Sequence, residues 1–434
     1  MKENKTIWKL LLIAAAFLMM LAAFFWLTGK PQTSGPFLIT GFIALAFGVR
    51  GFEAVKGFSY SLWIFTAVTV SMFFPQYFLS VGDFELKKLI VPLLQIIMFG
   101  MGSQMALSDL SGVIKMPKGV IAGILCQFTI MPLLGVTIAR TFNFPPEIAA
   151  GIVLVGVSPS GLASNVMSFL ARANLALSVT ITALATLLSP LLTPLLMKLL
   201  AGEMVEVDFW KMMTDIFNMI ILPIAAGLTF NLFSGSKKAA KTIVLQISAY
   251  LLIILVKNSI TLFTAGVSLQ EIGIRFGKDI LWFTLLPILG AFLFKYFAKG
   301  NQEWLNKSLA FISMLGIGII ITIITAAGRD SLLDVGLLLI LACLIHNMTG
   351  YGLGYTISKY ILRMPESDCR TIALEVGMQN GGLASGLAMQ MGKIATVGLA
   401  PAIFGPMMNI TGSSLATWWR GKPPKEINDG VIAG

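Results

Sequence analysis

The sequence predicts an all-α protein that crosses a membrane about fourteen times. Of its 434 residues, 56% are apolar and 12% are charged, whereas a soluble domain carries about 25% charged residues. The apolar residues fall into blocks of about 20, the length that a helix needs to cross the hydrocarbon core of a bilayer. Lysine and arginine residues lie mainly in the short loops between these blocks, as expected for a membrane protein.

The predicted spans follow one another with short loops, so no soluble domain is inserted. The first span follows Lys2, Lys5 and Lys9 and could pass for a signal peptide. Its apolar block is too long for that, and we interpret it as a retained helix. The fourteen spans are 8–28, 37–53, 58–77, 88–107, 118–140, 147–171, 174–200, 208–233, 241–266, 278–298, 304–327, 333–359, 369–393 and 397–419.

The distribution of basic residues predicts which loops face the cytoplasm. With the N-terminus inside, 20 basic residues lie inside, ten lie outside and Lys257 falls within a span. Positive charge collects on the cytoplasmic side of membrane proteins, so we expect both termini in the cytoplasm and the spans in a bacterial inner membrane. The net charge of +11 is assigned to this topology rather than to a nucleic-acid partner. Three scattered cysteines are too few for a disulfide framework or a metal cluster.

An internal repeat indicates two related halves. Segments 156–164 and 377–385 share the pattern G-x-x-x-x-G-L-A-S at an offset of 221 residues, and Gln127 and Asn347 precede the two copies at nearly equal distances. The copies lie in the sixth and thirteenth spans, so they run in opposite directions through the membrane. This is typical of an inverted-topology repeat.

Each copy is expected to break its helix. Proline removes a hydrogen-bond donor and glycine weakens a helix, and 158–161 reads Ser-Pro-Ser-Gly. A break inside the membrane is tolerated only where it lines a polar cavity. Two such breaks at the midplane would offer helix N-termini to an anion and free carbonyls to a cation. The alternative is two kinks that serve close helix packing.

Glu375 is the most informative residue, because it lies well inside a predicted span, where an unpaired carboxylate costs ~3 kcal/mol or more. It could be protonated or paired with Lys257. A cation site explains it more fully, since one anion among neutral oxygens suits a monovalent ion. The neutral side chains expected nearby are Gln127, Ser164, Asn165, Ser178, Thr182, Gln379 and Asn380.

These motifs resemble the bile acid:sodium symporter (BASS) family. The resemblance covers about 58–233 and 304–420 and rests on segments 98–102, 127–132, 158–165, 177–182, 188–194 and 375–380. It implies a ten-helix core of two inverted five-helix repeats, in which crossed discontinuous helices form a core domain beside a panel domain. It also implies coupling to two sodium ions.

The resemblance assigns residues to the two ions and to the substrate. The first ion would bind Ser164, Asn165, Ser178, Thr182 and Glu375. The second would bind Gln127, Glu375, Gln379 and the carbonyls of Val376 and Met378. The substrate would contact Ser160, Gly161, Leu162, Asn380, Met408 and Asn409. Leu162 replaces a threonine that many members carry and Met408 a histidine of some members, so a less polar substrate site is expected, with Ser160 as a compensating hydroxyl.

The expected organisation adds two hairpins to the ten-helix core. Residues 1–56 form an N-terminal extra hairpin, 57–202 the first repeat, 203–420 the second repeat with a hairpin inserted at about 238–300, and 421–434 a cytoplasmic tail. The added helices, 8–53 and 241–298, either widen the panel or build an oligomer interface. Lys257 is expected to snorkel or to face a partner hairpin, and His346 to be a hydrogen-bonded packing residue near Asn347.

The predicted function is sodium-coupled import of a small organic anion by alternating access. The anion would be a monocarboxylate such as pantoate, a keto or hydroxy acid, or a bile-acid-like molecule. A proton-coupled carrier in which Glu375 titrates and a non-transporting membrane receptor remain alternatives. An enzyme is not expected, because the chain has no G-x-S-x-G or H-E-x-x-H motif and no paired aspartates in the spans.

Overall fold

The computed structural model describes residues 5–52, 55–105, 112–234 and 240–424. Most of the predicted tail, 425–434, lies outside the described residues, as do Lys2, Lys237 and Lys238, which contributed to the predicted topology. Two short strands, β1 (Ser80–Val81) and β2 (Phe84–Glu85), pair antiparallel in one loop. All other regular structure in the described part of the chain is helical.

Apart from the short helix α5, which lies in a predicted loop, the α-helices correspond in order to the predicted spans. They are α1 (Lys5–Leu27), α2 (Pro31–Gly48), α3 (Ser59–Phe73), α4 (Ile90–Gln104), α5 (Gly112–Lys115), α6 (Pro117–Thr141), α7 (Pro146–Val157), α8 (Leu162–Leu170), α9 (Leu175–Ala201), α10 (Phe209–Ile216), α11 (Leu222–Ser234), α12 (Ala240–Ala265), α13 (Leu269–Ile280), α14 (Leu286–Phe297), α15 (Gln302–Ala327), α16 (Arg329–Thr356), α17 (Glu366–Gly377), α18 (Gly381–Gln390) and α19 (Leu399–Arg420). Single π-helical turns join α10 to α11 and α13 to α14.

An all-α protein with many membrane-spanning helices is confirmed. Within the described ranges, ten helices are long and apolar enough to cross a bilayer. The other predicted spans correspond to α3, which has 15 residues, to the interrupted pairs α7–α8 and α17–α18, and to α19. The number fourteen therefore stays a prediction.

Several helices begin earlier than the apolar blocks predict, because their first turns are polar. The inserted helix α13 begins at Leu269, nine residues before the predicted start of its span. Ser268 and Glu271 form a reciprocal capping box there, a start signal that depends on hydrogen bonding rather than on hydrophobicity. Likewise, α16 begins at Arg329.

Contacts between helix ends and loops agree with the predicted order of crossings. At one end of the molecule, Glu147 forms an ion pair with Lys393 and accepts a hydrogen bond of 2.5 Å from Thr396. At the other end, the Asn174 amide donates to Asp368 at 2.9 Å. Each contact joins a helix end to a loop that the predicted topology assigns to the same side of the membrane.

Lys257 lies in a buried ion pair within the inserted hairpin. Its ammonium group is 2.7 Å from the carboxylate of Asp279 on α13, and their side chains are 7% and 11% exposed. The Asn258 amide donates to the same carboxylate at 2.8 Å. Pairing of Lys257 with Glu375 is therefore wrong. The partner is not evident from the sequence, because Asp279 lies just inside the predicted start of its span but well inside the continuous helix 269–297.

We expect Asp279→Ala to destabilise the folded protein by about 3 kcal/mol, because it leaves the Lys257 charge unpaired inside the membrane. Thermal unfolding of the purified protein in detergent measures this. The matched control is Glu303→Ala, which breaks an exposed pair with Lys307 and should change stability by less than about 1 kcal/mol. Equal unfolding temperatures for the two variants would contradict the prediction.

Candidate functional site

Two interrupted helices meet at their breaks. Helix α7 ends at Val157 and α8 begins at Leu162, while α17 ends at Gly377 and α18 begins at Gly381. Between them, Ser160 and Gln379 form an isolated antiparallel bridge. The Gly161 amide donates to Met378 at 3.1 Å, and the Asn380 amide donates to Pro159 at 2.8 Å. The two breaks thus satisfy part of each other's backbone, which an interruption inside a membrane requires.

Local sequence explains where each helix stops and restarts. Pro159 has no amide hydrogen to continue α7. Gly161 permits close approach of the second break, since a Cβ there would lie 3.1 Å from the Gln379 carbonyl oxygen. Helix α18 restarts with an N-cap, in which the Asn380 side-chain oxygen accepts a bond of 3.0 Å from the Leu383 amide.

The Glu375 carboxylate is fully buried and surrounded by hydroxyl groups. Ser164 and Ser178 lie 2.7 and 2.5 Å from one carboxylate oxygen. Ser160 and Thr182 lie 2.6 and 2.9 Å from the other. Within the described residues, no lysine, arginine or histidine pairs with this carboxylate, so its charge is compensated only by hydroxyl dipoles.

Asn165 completes this group, which we call the hydroxyl cluster: Ser160, Ser164, Asn165, Ser178, Thr182 and Glu375. The Asn165 side-chain oxygen lies 2.8 Å from the Ser178 hydroxyl and 3.1 Å from the Thr182 hydroxyl. Helices α8, α9 and α17 supply its members, together with the first break. All five residues that the resemblance assigns to the first ion lie in this one cluster.

Three hydroxyl groups of the hydroxyl cluster lie close to more acceptor oxygens than they have hydrogen atoms to donate. Ser178 and Thr182 each lie within hydrogen-bond distance of both Asn165 and Glu375. Ser164 likewise approaches both Glu375 and the Gly161 carbonyl, at 2.7 Å each. A hydroxyl carries one hydrogen, so each of the three leaves one close oxygen–oxygen contact without a proton. Oxygen atoms held together in this way are the donor set that a hard cation prefers.

The residues assigned to the second ion are brought together only in part. The Gln127 amide donates to the Gln379 side-chain oxygen at 2.7 Å and to the Ser158 carbonyl at 2.9 Å. The Gln379 amide donates to the Val376 carbonyl at 2.5 Å. The Met378 carbonyl, however, accepts the Gly161 amide in the bridge between the breaks. Glu375 directs its carboxylate to the hydroxyl cluster.

A cavity of about 200 Å³ lies beside the two breaks. Five of the six residues predicted to contact substrate line it: Gly161, Leu162, Asn380, Met408 and Asn409. The sixth, Ser160, does not line it and belongs to the hydroxyl cluster. Ser313 and Ser385 also line the cavity, although neither was predicted to contact substrate. Ser385 closes the repeated motif and could have been chosen, whereas Ser313 stands alone in an apolar span without any signal.

Helix ends supply the electrostatic character of this cavity. Helices α8 and α18 both begin at its wall, at Leu162 and Gly381. The N-terminus of a helix carries partial positive charge and free amide hydrogens, and so attracts anions. No charged side chain in the described part of the chain lines the cavity.

His346 is a packing residue, as expected. It is fully buried, its Nε2 atom lies 3.0 Å from the Met131 carbonyl, and its ring meets Phe404 edge to face. Its neighbour Asn347 donates to the Gly377 carbonyl at 2.8 Å, at the end of the first half of the second interrupted helix.

Comparison with known proteins matches the chain to one protein family and to several individual proteins. Residues 91–263 match the Sodium Bile acid symporter family. The chain is 31% identical over 379 residues to the uncharacterized sodium-dependent transporter YocS of Bacillus subtilis (strain 168), covering 87% of this chain and 96% of that protein. It is 28% identical over 337 residues to a probable chloroplastic sodium/metabolite cotransporter, BASS1, of Arabidopsis thaliana, covering 77% and 68%. A BASS1 protein of Oryza sativa subsp. japonica is 28% identical over 378 residues, covering 86% and 75%. The chain therefore belongs to the sodium bile acid symporter family.

Proposed function

We propose that this protein is a sodium-coupled symporter that imports a small organic anion by alternating access. The observation that carries the proposal is the hydroxyl cluster, in which one buried carboxylate and neutral oxygens lack the protons to satisfy each other. A sodium ion bound there would neutralise Glu375 and separate the close oxygen pairs. The names of the relatives, a sodium-dependent transporter and sodium/metabolite cotransporters, support the same ion.

A second sodium ion is proposed at Gln127 and Gln379. Their amides and the Val376 carbonyl already form one hydrogen-bonded group, beside the residue that carries the charge. Binding would require Gln379 to turn its oxygen toward the ion, while the Met378 carbonyl could keep the Gly161 amide on one lone pair and offer the other to the ion. Because all the residues assigned to the first ion already lie together, whereas those assigned to the second are brought together only in part, we propose that the hydroxyl cluster fills first.

The cavity is proposed as the substrate site. Its volume of about 200 Å³ suits a small monocarboxylate, whose charged end would lie at the starts of α8 and α18. Asn409 and Asn380 would contact the carboxylate, while Leu162 and Met408 would contact its apolar body. A second charge on the substrate would be left without a partner in such a wall, which is costly.

The architecture proposed for transport is a ten-helix core of two inverted repeats, 57–202 and 203–420, with crossed interrupted helices. Gln127 and Asn347 support it, because each donates to the carbonyl at the end of the first half of an interrupted helix. Segments 1–56 and 238–300 would be added hairpins. We propose fourteen crossings of a bacterial inner membrane with both termini in the cytoplasm. Two sodium ions per monoanion would then move one net charge, worth ~2.3 kcal/mol per 100 mV.

Uptake by proteoliposomes that contain the purified protein tests this function. A panel of labelled monocarboxylates is offered with an inward sodium gradient, with potassium instead, and with a pH step in sodium-free buffer. Accumulation that requires sodium and increases with a negative interior supports the proposal. Accumulation driven by the pH step without sodium would identify a proton-coupled carrier. Sodium-dependent binding without uptake would identify a receptor.

Ser178→Ala is expected to weaken sodium binding about tenfold. It removes a hydroxyl oxygen that contacts both the Glu375 carboxylate and the Asn165 side chain. The midpoint of the sodium-dependent rise in unfolding temperature measures this. Ser414→Ala is the control, since that exposed hydroxyl bonds only the Ile410 carbonyl. An unchanged midpoint for Ser178→Ala would argue that the ion binds elsewhere.

A further inference from the structure

The cavity has two chemically different walls. One wall contains the starts of α8 and α18 together with α19. The other wall comes from α4 and α15, and all but one of its residues are apolar: Leu94, Ile97, Met98, Met101, Ile317, Ile320 and Ile321. The exception is Ser313 on α15, the single polar side chain of that wall among the residues that the structure describes.

The Ser313 hydroxyl has no hydrogen-bond partner within the described ranges, although the residue is half-buried. Hydroxyls in these helices commonly bond a carbonyl one turn earlier, as Thr322 on the same helix bonds Gly318 at 2.7 Å. Gly100 on α4 faces Ser313, and a Cβ there would lie 3.6 Å from the serine oxygen. A hydroxyl left uncommitted in an apolar wall is available to a ligand.

We propose, on the basis of the function above, that Ser313 determines specificity by binding a neutral polar group on the substrate. The preferred class is a monocarboxylate whose carbon body carries a hydroxyl, keto or amide group. The carboxylate lies at the helix starts, and the second group lies against α15. A purely alkyl acid leaves Ser313 unpaired in a dry wall, and a site built to form a hydrogen bond discriminates against a ligand that lacks it. A dicarboxylate is disfavoured because that wall has no cation.

Matched pairs of acids test this proposal, because a terminal hydroxyl and a methyl group have nearly the same size. The pairs are 3-hydroxypropanoate and butanoate, 4-hydroxybutanoate and pentanoate, and 5-hydroxypentanoate and hexanoate. Dissociation constants come from thermal-shift titrations of the full-length protein at one sodium concentration and again in potassium. In the wild type, the hydroxy acid is expected to bind about five- to tenfold more tightly than its partner at one chain length or more.

Ser313→Ala should bring that ratio to about one, and it should tighten rather than weaken binding of the alkyl acid. A variant that only disturbed packing would weaken both members of a pair. Ser313→Thr retains a hydroxyl and should keep part of the preference, and Ser414→Ala should leave the ratio unchanged.

The possible failures are distinguishable. Sodium-dependent binding of both series with equal affinity in the wild type, or a preference that survives Ser313→Ala, overturns the role of Ser313 and leaves the proposed function standing. If no acid of either series binds with sodium, the proposed substrate class fails and the role of Ser313 falls with it.

Discussion

Glu375→Gln is expected to abolish sodium-driven uptake and to weaken sodium binding at least a hundredfold. The substitution keeps the size of the side chain and removes the single negative charge of the hydroxyl cluster. Glutamine also presents an amide toward Ser160 and Thr182 or toward Ser164 and Ser178, where the cation needs an oxygen. The folded protein should remain as stable as the wild type or become more stable, because an ionised carboxylate no longer has to be buried.

Two measurements on one preparation separate loss of the ion from loss of the fold. Unfolding temperature without sodium reports the fold, and its rise with added sodium reports ion binding. Glu303→Gln is the matched control, since that carboxylate is 78% exposed and should leave both unchanged. Sodium-dependent stabilisation that persists in Glu375→Gln would exclude this carboxylate as the ion ligand.

Sequence alone could predict the centre of the site because two kinds of information coincide there. A repeated motif marks the breaks, and a lone acid inside an apolar span marks the charge. The family resemblance assigned Ser164, Asn165, Ser178 and Thr182 to one ion, and the structure brings them together around Glu375. Together with Glu375 these residues lie on three helices, so no spacing in the sequence could have shown that their oxygens meet.

What the sequence could not predict depends on where a side chain points. Ser160 follows Pro159 in a motif that suggests substrate contact, yet its hydroxyl reaches Glu375 at 2.6 Å. Lys257 appeared to be an isolated charge because its partner Asp279 lies on a helix that begins with a polar turn. Ser313 belongs to no motif. Hydrophobicity identifies spans, but the partners of polar groups follow from tertiary packing.

Comparison of the two motif copies explains why the site has one acid. At the offset of 221 residues, Glu375 corresponds to Leu154, which is fully buried. Ser178 and Thr182 correspond to Leu399 and Ile403. Both copies therefore keep the break, whereas the acid occurs only in the second copy and the hydroxyls of Ser178 and Thr182 occur only beside the first. We infer that the shared motif maintains geometry and that the differences assign the cation to one side of the crossing.

The second substitution with a large expected effect lies where α4 packs against α11. This packing holds the apolar wall of the cavity in place. A Cβ at Gly102 on α4 would overlap the carbonyl oxygen of Ile224 on α11. A Cβ at Gly227 on α11 would overlap the Phe99 carbonyl oxygen and lie 2.6 Å from the Ser103 amide. Two glycines thus bring the backbones together, as small residues do in membrane helix pairs.

We expect Gly102→Ala to destabilise the protein by about 3 kcal/mol, since rigid backbone atoms must move to admit one methyl group. The shift of α4 should also displace Leu94, Ile97 and Met98 from the cavity wall, so substrate binding should weaken more than sodium binding. Unfolding temperature and the two titrations measure these effects. Gly318→Ala is the control, because no atom lies within 4 Å of a Cβ at that position of α15. If Gly102→Ala unfolds at the temperature of Gly318→Ala and binds substrate normally, then α4 and α11 do not pack as closely as this wall requires.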